Sequence, residues 1–207
     1  MDTTQRVLLK IASLLLDYPD TQWHRDLEAA RLAMREFPDS SQARAGLKTL
    51  RTLAGMSPTE LEQHYVQLFD FSDKRTLYLT CHELGDDRGR GQRLVDLQQV
   101  MFDGQCAIRD NTLPDYLPAW LEYLAIAKTE PPRIGGRVAY ALSRIIAELP
   151  DESPYHALLV WILDLLPQPD GGMAKEVRPP DDERNMPFPL IHGDLEESPT
   201  IWEVPRR

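Results

Sequence analysis

Apolar residues recur three and four positions apart along most of the chain, the spacing that places them on one side of an α-helix. Val7, Leu8, Ile11, Leu14 and Leu15 make one such stripe, and Trp23, Leu27, Ala30, Met34 and Phe37 a second. Ala43, Leu47, Leu50 and Ala54 give a third. A fourth, Leu61, Tyr65, Leu68 and Phe69, is opened by Ser57-Pro58-Thr59-Glu60, a capping box with proline at the first helical position. Leu94, Leu97 and Met101 follow Gly85-Asp86-Asp87, whose carboxylates suit the positive start of a helix. Leu117, Leu121 and Leu124 come next. Two last stripes run through Val138, Ala141, Leu142, Ile145 and Leu149, and through Tyr155, Leu158, Leu159, Ile162 and Leu166.

No segment alternates apolar and polar residues between turn signals, as a half-buried strand would. "LLVWIL" could form a buried strand, but the stripe from Tyr155 to Leu166 is too long for one. The pattern predicts an all-α protein, a single helical bundle over residues 1–166. Residues 167–207 hold eight of the seventeen prolines and nine acidic residues against five basic, with no sustained stripe. Each proline removes a helical donor and disfavours helix in the residue before it, so an irregular tail is expected there. Two apolar clusters within it, "NMPFPLI" and "TIWEV", could dock on the bundle or on a partner.

Composition narrows the functions open to such a bundle. With 207 residues, 42% hydrophobic and 27% charged, the chain is long enough for one well-filled core. Its net charge of −10 leaves no basic excess to displace counterions from phosphates, which argues against nucleic acid as a partner. A partner offering a basic or amphipathic segment fits the charge better. Two cysteines, Cys81 and Cys106, make no disulfide framework. The opening "MDTTQRVLLKIASLLL" is apolar, but Asp2 and Lys10 interrupt the pattern of a secretory signal and no small-residue cleavage site follows. No apolar run reaches the length of a membrane span. These features lead us to expect a cytoplasmic protein without membrane insertion.

Enzyme chemistry finds weak footholds. Gly89-Arg90-Gly91 lacks the further glycine and preceding strand of a phosphate loop. Cys81, His82 and Glu83 sit side by side, but neighbours on a helix point about 100° apart and no second ligand pair follows. We therefore expect packing of Cys81 and a hydrogen-bonded His82, with no metal and no cofactor. Cys106 has no local base to activate it.

"LPDYLPAWLEYLA", residues 113–125, places Asp115 after Pro114, in what reads as the first turn of a helix, where a carboxylate favours the helix dipole. Asp115 and Glu122 would then share a face about 10 Å apart along the axis, too far for a paired acid–base mechanism. No catalytic residue is assigned.

Three phrases read in order add a family. "HYVQLFDFSDKRTLYLTCHELGDDRGRGQRLVDL", then "LPDYLPAWLEYLA", then "WILDLL" resemble the TorD/DmsD/NarJ group of redox-enzyme maturation chaperones, and within it the branch that serves nitrate reductase. The opening "LLLDYPD" is similar as well, so the likeness covers roughly residues 7–166, with "TIWE" a looser match in the tail. Cys81 departs from the pattern, in which an aromatic residue usually precedes the histidine. The resemblance implies an all-helical chaperone without catalysis of its own. Its guest would be the N-terminal segment of the catalytic (alpha) subunit of nitrate reductase, held in the apo form until the molybdenum cofactor is inserted. An assembly chaperone for another molybdoenzyme, or a helical enzyme or nucleotide-binding protein acting on the cofactor, are the alternatives.

A chaperone of this kind needs an apolar groove for an amphipathic helix, with acids on its rim. Tyr65, Leu68 and Phe69 offer apolar area at helical spacing. Tyr116, Trp120 and Tyr123 offer amphipathic rings, and Asp115 and Glu122 could meet a basic residue of the guest. All six apolar residues also suit a core. Leu68 and Phe69 read rather as core, whereas Tyr116 and Trp120, each with a polar tip, read rather as a wet groove wall.

Overall fold

The computed structural model of the chain describes residues 1–84, 89–106, 112–127 and 133–166. Among these there are nine α-helices and no strand, the all-α architecture that the apolar stripes predict. The expected tail of residues 167–207, its two apolar clusters and the Gly85-Asp86-Asp87 helix start all lie outside the described residues.

Local chemistry sets most helix starts. In α1 (Thr3–Leu16) Asp2 and Gln5 form a reciprocal capping box, and in α2 (Thr21–Arg35) Asp20 accepts from the Trp23 amide. Ser40 caps α3 (Ser41–Ala54). The box of Ser57 and Glu60 opens α4 (Pro58–Phe69) as the sequence predicts, with Pro58 in the first turn. Each such cap stabilises its helix by about 1 kcal/mol, because it satisfies amides that have no partner within the helix. After the short α5 (Leu79–Leu84) come α6 (Arg90–Asp103), α7 (Leu117–Ile126), α8 (Ile134–Ile146) and α9 (Pro154–Leu165). Ser153 caps α9, and Pro154 starts it.

The core gathers around α1, α7 and α9. Leu8, Leu9, Leu15 and Leu16 of α1 are fully buried, each contributing roughly 1.5–3 kcal/mol from apolar surface removed from water. α7 buries most of its circumference, Leu117, Trp120, Leu121, Tyr123 and Leu124 among the buried residues, and turns only Ala119, Glu122 and Ile126 outward. α1 packs more extensively on α7 than any other described pair of helices. Ser13 of α1 donates to the Pro118 carbonyl at 2.7 Å, and Lys10 pairs with Glu122. The Arg6 guanidinium donates to the carbonyls of Ala125 and Ala127 at 3.1 and 2.7 Å, satisfying acceptors that the end of α7 leaves open. α3 lies close on α9 at Gly46, where a Cβ would fall 2.5 Å from the Trp161 ring. The same ring donates from Nε1 to the Gln42 carbonyl at 2.8 Å. Glu83 of α5 and Arg137 of α8 form a two-pronged ion pair, 2.6 and 2.7 Å, with both side chains largely buried.

α7 begins later than the sequence predicts. Its first residue is Leu117 and the proline in its first turn is Pro118, so Asp115 precedes the helix. The expectation that Asp115 sits in the first turn and shares a helical face with Glu122 is therefore corrected. α5, which shows no stripe of its own, was not expected. His82 on it is hydrogen-bonded as predicted, through Nε2 to the Thr76 carbonyl at 2.7 Å. Burial holds its pKa below the ordinary histidine value.

Candidate functional site

The segment before α5 runs antiparallel to the segment before α7. Leu79 N–H donates to the Asp115 carbonyl and Leu117 N–H to the Leu77 carbonyl, both at 2.8 Å, around an isolated bridge between Tyr78 and Tyr116. This pairing holds both tyrosines beside the ends of α1 and α4. Asp115 anchors it from beneath. With no exposed surface, its Oδ2 accepts from the Thr80 amide at 3.3 Å and from the Thr80 hydroxyl, while Arg90 Nη2 lies 3.8 Å away. The Arg90 Nε in turn donates to the Thr80 hydroxyl at 3.0 Å. One carboxylate thus ties together the starts of α5, α6 and α7.

Above this anchor the hydroxyls form a chain. The Tyr116 OH donates to Asp17 Oδ1 at 3.0 Å, so the Tyr65 OH, 3.0 Å from it, serves as donor to Tyr116. Asp17 itself ends α1 in an extended conformation. Burial pushes both tyrosine pKa values far above the ordinary range. For Tyr65 the neighbouring Tyr116 adds to the rise, and for Tyr116 the Asp17 carboxylate does. Tyr78 is raised by burial and by the charges of Asp115 and Asp70. All three stay neutral at physiological pH, offering ring faces and hydroxyl dipoles but no anion for nucleophilic or acid–base work.

These groups border a half-open cavity of about 260 Å³. Tyr18, Tyr65, Phe69, Tyr78 and Tyr116 line it, with Asp17, Asp70, Leu77 and Thr112. Tyr18 stands edge-on to Tyr65 at 5.5 Å between centroids, and Tyr65 to Phe69 at 5.0 Å. Among the described residues, no three His, Cys, Asp or Glu side chains come together as a metal site would require. Partial burial and the nearby Glu122 raise the Cys106 thiol above its ordinary value.

Of the eight residues nominated from sequence, Tyr65, Phe69 and Tyr116 come together in this cavity. Leu68 and Phe69, 6% and 3% exposed, both belong to the core, as the sequence favoured, although Phe69 also borders the cavity. Trp120 is not a groove wall. It is fully buried, its indole donates to the Pro114 carbonyl at 2.8 Å, and its ring stands against Tyr123. A polar tip marks a wet boundary only when no internal acceptor meets it, and here the turn before α7 supplies one. Tyr123 is likewise buried, against Gly104, where a Cβ would lie 2.5 Å from its ring. Asp115 is an internal anchor and not a rim acid, and Glu122 lies at the surface beside Lys10. Asp17, Tyr18, Asp70 and Tyr78 were not nominated, although "LLLDYPD", "LFDF" and "TLYLT" contain them.

Comparison with known proteins gives these phrases a family. Residues 37–136 match the nitrate reductase delta subunit family, a span that holds all of the cavity except Asp17 and Tyr18. Over 134 residues the chain is 34% identical to the probable nitrate reductase molybdenum cofactor assembly chaperone NarJ of Bacillus subtilis, covering 64% of this chain and 73% of that one. Over 159 residues it is 32% identical to the NarJ chaperone of Escherichia coli K12, covering 75% of this chain and 67% of the relative. A nitrate reductase-like protein of Mycobacterium tuberculosis, NarX, is 31% identical over 124 residues, a stretch that makes up 18% of it. The fold, the motif phrases and these identities agree: the chain belongs to the NarJ family of nitrate reductase molybdenum cofactor assembly chaperones.

Proposed function

We propose that the protein is an assembly chaperone for a respiratory nitrate reductase. It binds the apo catalytic (alpha) subunit through that subunit's N-terminal segment, and keeps it open for insertion of the molybdenum cofactor and for assembly of the complex. The observation that carries this reading is the cavity. Its walls come from chain segments far apart in sequence, and these coincide with the phrases that mark the family. Neutral tyrosines without an activated nucleophile suit recognition better than catalysis, so we assign no enzymatic activity and no cofactor of its own.

Large amphipathic rings over a preformed cavity suit an amphipathic peptide, and exposed Tyr18 and Phe71, 43% and 79%, extend the apolar surface where the chain leaves the cavity. The helical domain, residues 1–166, carries the binding, with residues 167–207 as an appendage, and the site of action is the cytoplasm. No helix among the described residues is long and apolar enough to cross a membrane. Purification of the tagged chain from cells grown on nitrate tests this reading. The catalytic subunit of nitrate reductase is expected to come with it. Recovery of another molybdoenzyme's catalytic subunit would reassign the guest, and recovery of neither would contradict the chaperone role.

A further inference from the structure

α6 meets the bundle along one side only. Leu97 and Met101 are its buried residues, and among the described helices α5 is its main neighbour. Successive residues of a helix turn by about 100°, so Val95 and Phe102, seven apart, lie within about 20° of each other on the opposite side. They are 58% and 74% exposed, an apolar row turned to solvent. An acidic row runs beside it. Asp96 and Asp103, also seven apart and exposed, stand about 100° round from Val95 and Phe102, with Gln92 and Gln99 between the two rows. Gln92 Nε2 donates to Asp96 Oδ1 at 3.0 Å and Gln99 Nε2 to Asp103 Oδ1 at 2.7 Å, which holds the carboxylates in line. A carboxylate has sites for about four donors, so each keeps room for a partner's. The two bases of α6 lie elsewhere on the helix. Arg90 turns to Thr80 and Asp115, and Arg93 stands about 160° round from Val95. None of these α6 residues lines the cavity.

The two rows select among occupants. A second copy of the chain would bring together two acidic rows and two net charges of −10, with no base on either face to offset them. An anionic membrane surface or a nucleic acid meets the same repulsion. An uncharged apolar helix would cover Val95 and Phe102 but strip water from the neighbouring carboxylates without replacing it. A helix with an apolar row and bases beside it matches both rows at once, its apolar side chains on Phe102 and Val95 and its bases on Asp96 and Asp103. From Gly91 to Asp103 the face is about 18 Å long, enough for roughly three turns of such a partner.

We propose that the exposed face of α6 docks a basic amphipathic helix of a partner protein, at a site separate from the cavity. The test uses the full-length chain and two synthetic helices of about eighteen residues, long enough to be helical in solution. Both carry leucines at i, i+3, i+4 and i+7; one has arginines beside that row and the other glutamates. Titrations are followed by amide-resolved NMR. The arginine helix is expected to bind saturably, with shifts concentrated at Val95, Gln98, Gln99 and Phe102, and the glutamate helix about ten-fold more weakly or not at all. Phe102→Ala should weaken the arginine helix by about ten-fold and leave the melting temperature unchanged, since the ring is mostly in solvent. Asp96→Asn combined with Asp103→Asn should weaken it by a similar factor and flatten its salt dependence. Equal binding of the two helices, shifts centred away from α6, wild-type affinity in Phe102→Ala, or no binding at high micromolar peptide would overturn the docking face. The chaperone reading survives each of those results, because it concerns a different peptide at a different site.

Discussion

Trp120→Ala is expected to lower the stability of the bundle by about 3–5 kcal/mol, as loss of a large buried aromatic does. The ring has no exposed surface and stands against Tyr123 at 5.3 Å. Truncation would open a cavity at the centre of α7. It would also strip the Pro114 carbonyl of the indole N–H that donates to it at 2.8 Å. For a domain of this size the midpoint of thermal unfolding should fall by roughly 10 °C or more. Below that midpoint the surviving native fraction should bind guest peptide with near wild-type affinity, because the ring lines no part of the cavity. Thermal melts paired with titrations on the same variant check both halves. A variant of full stability with weakened binding would place Trp120 in the site after all.

Asp115→Ala is expected to cost about 3 kcal/mol, for a different reason. Its carboxylate is fully buried and accepts from the Thr80 amide and hydroxyl, with the partly exposed Arg90 close by. Removing one member of a buried charged network leaves its partners desolvated and unpaired, which costs more than the net contribution of the intact network. Asp115→Asn should cost less, since an amide oxygen can still accept from Thr80. Its NH2, however, falls where Oδ1 already lacks any hydrogen-bond partner. Urea unfolding of the three proteins should rank them wild type, Asn, Ala. Peptide affinity should fall in the same order, because Asp115 supports the pairing that presents Tyr78 and Tyr116. Equal unfolding midpoints would remove Asp115 from the role of anchor.

These two residues also show how far the sequence could be read. Eight helices follow from apolar spacing, and the Ser57–Glu60 box marks its helix start directly, because periodicity and capping are local. The start of α7 was less legible, since Pro114 and Pro118 lie four apart and either suits a first turn. What decides between them is Thr80, thirty-five residues away, which takes the Asp115 carboxylate as its partner. α5 escaped notice because six residues are too few for a stripe, and its position depends on that same contact and on Glu83–Arg137. Trp120 misled because amphipathic rings look alike in sequence whether their polar atom meets solvent or a carbonyl. The cavity was half legible. Tyr65, Phe69 and Tyr116 could be nominated from one helix stripe and one motif. Asp17, Tyr18, Asp70 and Tyr78 join them only through the bridge between residues 78 and 116 and the chain of hydroxyls ending at Asp17.

The central claim is that this aromatic, acidic cavity is where the guest's N-terminal segment binds, and amide-resolved NMR of the labelled chain titrated with that peptide tests it most directly. The account predicts saturable shift changes concentrated at Tyr18, Tyr65, Asp70, Phe71, Tyr78 and Tyr116, with residues on the outer faces of α3 and α8 unmoved. A saturable response centred on those outer faces, or no response at high micromolar peptide, would contradict it.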